Sequence, residues 1–109
     1  AVPHAHFDLS SAVGQRFYTR RLIQEFLTSV PRSEPEARLT FLRFDGALRV
    51  LTRAEFSQII DNLRPRQRQL VRLAIEEHWP RQRVCDYLQI SLKTFERHHQ
   101  EVLDLLAQM

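Results

Sequence analysis

The sequence predicts a mainly α-helical fold, namely a small helical domain with a C-terminal four-helix helix-turn-helix unit and a β-hairpin near residues 39–51. Apolar residues recur at three- and four-residue steps along most of the chain, which is typical of amphipathic helices. Residues that cap helix N-termini stand directly before several of these stretches. The 109 residues have room for one domain with a modest core.

Residues 10–30 are predicted to form the first helix. Its apolar side chains fall on one helical face: Phe17, Ile23, Phe26, Leu27 and Val30. Pro31 and Pro35 follow within five residues, and this spacing ends the helix because proline cannot donate a backbone hydrogen bond.

Residues 38–52 are open to two interpretations. The first is a hairpin, since Asp45-Gly46 favours a two-residue turn between runs rich in Phe, Leu, Val and Thr. The pairs expected across it are Leu42 with Arg49 and Phe41 with Val50. The second is a helix opened by Ser33 and Glu36 as a capping box and stopped at Gly46.

Four further helices are predicted in the remaining part of the chain. Thr52 followed by Glu55 predicts a capped helix over about 53–62. Pro65 suits the first position of the next helix, and Trp79-Pro80 ends that helix. A short helix over 80–89 then precedes a longer one that Ser91 caps. The residues expected to face the core are Phe56, Ile59, Ile60, Leu63, Leu70, Leu73, Ala74, Val84, Cys85, Leu88, Phe95, Val102, Leu103 and Leu106.

Residues 63–106 carry a resemblance to a known family. The stretches "LRPRQRQLVRL", "VCDYLQIS" and "SLKTFERH" are similar to those of the DNA-binding domain shared by region four of bacterial sigma factors and LuxR-type regulators. The resemblance implies a helix-turn-helix that reads the major groove through the helix starting at Ser91. Two residues depart from the family pattern: Gln89 replaces the usual glycine of the turn, and Arg64 replaces a proline that many members carry.

The resemblance also implies which residues contact double-stranded DNA. Leu92, Lys93, Glu96 and Arg97 fall at positions that touch bases, and Arg81 and Thr94 fall near phosphates. The formal net charge is +3, and residues 64–83 hold six Arg against two Glu. Residues 84–109 carry four acids against two basic residues, so specific binding is expected without strong nonspecific binding.

The sequence gives no support for an enzyme, a cofactor or a metal site. It has no glycine-rich phosphate loop and no Cys-x-x-Cys or His-Glu-x-x-His motif, and the adjacent His98 and His99 cannot both face one metal ion. Cys85 is expected to be a small buried residue. With no apolar run of membrane-spanning length and no secretory signal pattern, the expected location is the cytoplasm, without membrane contact.

Two functional hypotheses remain open. The first is a DNA-binding transcription regulator in which residues 1–62 form a helical and hairpin unit for packing or dimerisation and residues 63–109 form the helix-turn-helix domain. The second is a protein-interaction module that uses the same fold to bind RNA polymerase or a partner factor. A homodimer is predicted to form through an apolar stripe on the first helix or at the C-terminus, with half-sites about 10 base pairs apart or a multiple of that. The alternative is that the two stripes pack together within a monomer.

Overall fold

The computed structural model describes residues 12–109, which form a mainly helical domain with one small antiparallel hairpin, as predicted. The elements are α1 (Ala12–Ser29), β1 (Arg38–Leu42), β2 (Leu48–Thr52), α2 (Arg53–Asp61), α3 (Pro65–Val71), α4 (Arg81–Leu88) and α5 (Leu92–Ala107). A π-helical stretch, Arg72–Glu76, continues α3. Its wider turn is seen in the bond from the Glu77 amide to the Arg72 carbonyl, 2.8 Å long and five residues apart.

Local capping signals set the helix starts as expected. Thr52 and Glu55 form a reciprocal capping box on α2, with the Glu55 amide 3.1 Å from the Thr52 hydroxyl. The Thr52 amide and hydroxyl donate to the Glu55 carboxylate at 2.8 Å and 3.1 Å, and these two bonds, together with the nearby Arg49 charge, lower the pKa of the Glu55 carboxyl. Pro65 occupies the start of α3, and the Ser91 hydroxyl accepts a bond from the Thr94 amide at the start of α5.

The hairpin is present, but the predicted pairing is wrong by one residue. The observed partners are Leu39 with Leu51, Thr40 with Val50, Phe41 with Arg49 and Leu42 with Leu48. In this register Phe41 and Leu51 lie on the face that packs against the core, whereas a shift of one residue would turn one strand over. Burial therefore fixes the register.

The loop explains why the two-residue turn does not form. That turn needs positive φ at both central residues, but here only Gly46 has it, with φ of 88°. The Gly46 amide donates to the Arg43 carbonyl at 2.9 Å, and the Arg43 amide donates to the Ala47 carbonyl at 2.8 Å. The result is a three-residue loop, a tight turn followed by a left-handed glycine.

A large hydrophobic cluster joins α1, the hairpin, α2, the end of α3 and the C-terminal half of α5. Its buried members are Ile23, Phe26, Leu27, Phe41, Leu51, Phe56, Ile60, Leu63, Val71, Ile75, Val102, Leu103, Leu106 and Ala107. The ring of Phe56 lies between Phe26 and Phe41, with centroids 5.6 Å and 6.2 Å away. The cluster contains residues from both of the predicted units, 1–62 and 63–109. Within it, the apolar stripes of α1 and α5 pack together.

A second, smaller cluster lies between α3, α4 and the N-terminal half of α5. It contains Leu70, Val84, Cys85, Leu88 and Phe95, with Leu73, Ala74, Trp79 and Ile90 half-buried against it. Cys85 is a buried free thiol, as expected, and burial raises the pKa of that thiol. This small cluster positions the helices of the predicted DNA-binding unit.

Candidate nucleic-acid interface

The turn between α4 and α5 has the geometry of a helix-turn-helix. Helix α4 ends at Leu88, and Gln89 takes a left-handed conformation with φ of 55° and ψ of 51°. The Ile90 amide then donates to the Cys85 carbonyl at 3.0 Å, so the orphan carbonyls at the end of α4 are partly satisfied. Three residues thus connect the two helices, and Gln89 adopts a left-handed conformation that is strained for a residue with a side chain.

The small cluster fixes the direction of α5. Phe95 and Leu88 are 4% and 8% exposed and pack in the same cluster, which ties the first turns of α5 to the end of α4. The Arg66 guanidinium adds a bond of 3.3 Å to the Leu88 carbonyl. The outward face of α5 is therefore held by packing on its inward face.

The residues predicted to touch bases lie together on this outward face. Leu92 is 48% exposed, and Lys93, Glu96 and Arg97 are also exposed. Within residues 12–109, Lys93 has no ion pair, while the Arg97 Nε atom lies 3.8 Å from a carboxylate oxygen of Glu101. Both cations are accessible to a ligand, because the exposed ion pair of Arg97 with Glu101 contributes little stabilisation at this distance.

The two residues predicted to lie near phosphates have partners inside the protein. Thr94 is half-buried, and its hydroxyl accepts a bond of 3.0 Å from the Ser91 hydroxyl. Arg81, at the start of α4, forms an ion pair with Glu96 on α5. This contact links the two helices of the motif across their exposed side, and sequence spacing did not predict it.

His99 lies under the same face. Its ring stacks on Phe95 with 5.6 Å between the centroids and 16° between the planes. Burial lowers the pKa of His99, and the Glu96 charge opposes that effect. Within residues 12–109 no group of three or more His, Cys, Asp or Glu side chains is placed to hold a metal ion.

An aromatic patch lies on the adjacent surface of α4. The guanidinium of Arg83 lies 3.9 Å from the centre of the Trp79 ring, and Tyr87 meets that ring edge-on at 5.4 Å. Trp79 is half-buried and packs against the small cluster. Tyr87 remains 64% exposed.

Two of the six arginines in residues 64–83, Arg72 and Arg81, form ion pairs with acids of the described chain. Arg72 forms a bond of 2.6 Å with Asp61, whose pKa is lowered by the hydrogen bonds from Arg32 and Arg72. Arg68 binds the Asp61 carbonyl at 3.3 Å. The other four arginines, Arg64, Arg66, Arg68 and Arg83, have no acidic partner among residues 12–109.

A cleft of about 660 Å³ lies between the end of α1 and the π-helical stretch. The Arg53 side chain, 1% exposed, pairs there with Glu76 and donates to the Val30 carbonyl at 2.8 Å and to the Ser57 hydroxyl at 2.6 Å. Arg32 bonds the same Glu76 carboxylate at 2.8 Å. Because acids neutralise these cations, the cleft is lined by a structural ion network.

Comparisons with protein-family models, with curated proteins and with solved structures found no match to this chain. None of the helices within residues 12–109 has the length and apolar character needed to cross a bilayer.

Proposed function

We propose that this protein is a non-enzymatic, cytoplasmic transcription regulator that binds double-stranded DNA through α4 and α5. The observation that carries the proposal is the exposed N-terminal face of α5, on which Lys93 and Arg97 lie one helical turn apart, supported from beneath by the small cluster. A major groove about 12 Å wide admits one helix, and a three-residue turn between packed helices leaves the start of α5 clear to enter it.

The side chains of this face suit base contacts. Lys93 and Arg97 can donate to the O6 and N7 atoms of guanine, and Leu92 can make apolar contact with a thymine methyl group. Glu101 lies further along α5, where it would repel phosphates, whereas Asp104 forms an ion pair with Arg20 of α1. Binding therefore depends on the first two turns, and its nonspecific component is weak.

Single substitutions on α5 test the proposal. Lys93→Ala and Arg97→Ala should each weaken binding to a selected duplex by about 1 to 3 kcal/mol and leave thermal unfolding unchanged, because both side chains are exposed. Arg49→Ala, which removes one exposed charge on β2, is the matched control and should bind like the parent. If no duplex from a random-sequence pool is enriched by the parent protein, or if both variants bind like it, the proposal is wrong.

A second candidate function is a protein-interaction module of the transcription apparatus that binds RNA polymerase or a partner factor. The observation that favours it is the outer face of the hairpin, where Leu42, Leu48 and Val50 are 40%, 69% and 48% exposed. Contiguous exposed apolar side chains mark interaction surfaces. Capture of RNA polymerase by the parent but not by Leu48→Asp, without any DNA binding, would favour this function over the first.

A homodimer is part of the first proposal, but the stripes on which it was predicted are mostly occupied. Phe26, Val102 and Leu106 are buried in the large cluster, while Phe17 and Met109 are 48% and 40% exposed. Light scattering at micromolar concentration, with and without a selected duplex, measures the assembly. A monomer in both conditions would contradict the dimer.

A further inference from the structure

The ion pair between Arg81 and Glu96 joins the first turn of α4 to the second turn of α5, fifteen residues apart in sequence. The bond runs from one guanidinium nitrogen of Arg81 to the Oε1 atom of Glu96. Their side chains are 60% and 48% exposed, so the pair lies on the surface that faces outward from the helix-turn-helix. Exposed ion pairs of this kind add little stability. The main consequence of the contact is therefore that each of the two side chains orients the other.

The pair leaves Glu96 with one oxygen available. Among residues 12–109 the Oε2 atom of Glu96 accepts no hydrogen bond. A carboxylate oxygen held on the outward face of a groove-reading helix is a hydrogen-bond acceptor, and the exposed 4-amino group of cytosine is the donor that the major groove offers to it.

Resting on the proposed function, we infer that Glu96 selects a cytosine in the DNA site and that Arg81 is a positioning residue for Glu96. Arg81 holds the carboxylate by Oε1 and partly neutralises it, while Oε2 accepts from the cytosine amino group. This assigns to Arg81 a role that acts through Glu96, in place of the phosphate contact that the family resemblance implies.

The two roles of Arg81 predict different salt dependence. A side chain that neutralises a phosphate adds about 0.9 to the slope of log affinity against log salt, and its loss weakens binding to all sequences alike. A positioning residue adds nothing to that slope, and its loss weakens discrimination at one base pair. The experiment therefore measures affinity for a selected duplex, and for its version with the cytosine pair replaced, across a range of salt concentrations.

Five proteins are compared after selection of bound duplexes from a random-sequence pool: the parent, Arg81→Ala, Arg81→Lys, Glu96→Gln and the charge control Arg49→Ala. The parent should enrich a cytosine at one position and lose roughly 5- to 150-fold in affinity when that pair is replaced. Glu96→Gln should change the preference at that position to adenine, the base that glutamine reads. Arg81→Ala should lose most of this discrimination with the salt slope of the parent, and Arg81→Lys should restore part of it.

Each other result overturns the inference. An unchanged base preference in Glu96→Gln removes Glu96 as the reader, and an Arg81→Ala protein that keeps discrimination with a lower salt slope makes Arg81 a phosphate ligand. Parent protein that binds duplexes without base preference overturns the inference while the proposed function stands. Parent protein that binds no duplex at all overturns both. Circular dichroism melts of the variants show that the fold is retained.

Discussion

The two halves of α5 lie in different surroundings. Its C-terminal half buries Val102, Leu103 and Leu106 in the large cluster, together with side chains from α1, α2 and the hairpin. Its N-terminal half buries only Phe95 in the small cluster and leaves Leu92, Lys93, Glu96 and Arg97 exposed. One helix is thus anchored at one end and presented to solvent at the other.

Under the proposed function, this difference assigns stability to the C-terminal half of α5 and DNA contact to its N-terminal half. Apolar burial provides the main driving force for folding, so most of the stability should come from the large cluster. The small cluster has to orient α4 and α5 relative to each other, a task that needs few residues in well-packed positions. Substitutions in the two clusters should therefore differ in what they change, and four predictions test this.

The largest effect is expected in the large cluster at Phe56. This side chain is 0% exposed and lies between the rings of Phe26 and Phe41, so Phe56→Ala should lower the free energy of unfolding by about 3 to 5 kcal/mol. Phe17→Ala is the matched control, because that ring is 48% exposed, and it should cost about 0.5 kcal/mol or less. Urea unfolding measures both. Equal losses would mean that the large cluster is not the stabilising core.

The next effect comes from the buried charge at the edge of the large cluster. Glu76→Gln leaves Arg53, 1% exposed, without its carboxylate, and removing one partner of a buried pair should cost about 3 kcal/mol. The neighbouring Glu77 is exposed, so Glu77→Gln carries the same change in charge and should stay within about 0.5 kcal/mol of the parent. A Glu76→Gln protein as stable as Glu77→Gln would show that the pair contributes nothing to the fold.

The sequence predicted what is determined by neighbouring residues. The capping box of Thr52 and Glu55, Pro65 at a helix start and the Ser91 cap are short-range patterns, and all three hold in the structure. The hairpin itself was predicted for the same reason. The predicted register was wrong, because the burial of Phe41 and Leu51 decides which strand positions face each other, and this burial is a long-range property.

Electrostatic partners were beyond the reach of the sequence. Arg53 and Glu76 are 23 residues apart, and arginine is seldom fully buried, so no local pattern indicated this pair. The same holds for Arg81 and Glu96 at the candidate interface. The outward positions of Lys93 and Arg97, in contrast, follow from the helical period and from Phe95 facing inward.

The small cluster should show a smaller loss of stability and a larger loss of binding. Leu88→Ala removes a side chain that is 8% exposed and should lower the free energy of unfolding by about 2 kcal/mol. This loss is near the lower end for such changes, because the small cluster has few residues and the cavity left behind should be small. It should also weaken DNA binding, since Leu88 joins α4 to α5. Leu105→Ala, at the anchored end of α5 and 42% exposed, is the control and should change neither. If Leu88→Ala lost as much stability as Phe56→Ala, the two clusters would not differ in their contribution to stability.

The smallest effect is a gain, expected at the turn that the small cluster holds. Gln89 has φ of 55°, a conformation that costs a side chain about 1 kcal/mol and costs glycine little, so Gln89→Gly should raise the free energy of unfolding by about 0.5 to 1 kcal/mol. The same substitution at Gln100, exposed in the middle of α5, should lower it by a similar amount, because glycine is a poor helix former. Opposite signs in urea unfolding would confirm that the left-handed turn is strained, whereas a loss in both proteins would mean that Gln89 does not hold this conformation in solution. DNA affinity should be unchanged in Gln89→Gly, since glycine keeps the turn and therefore the direction of α5.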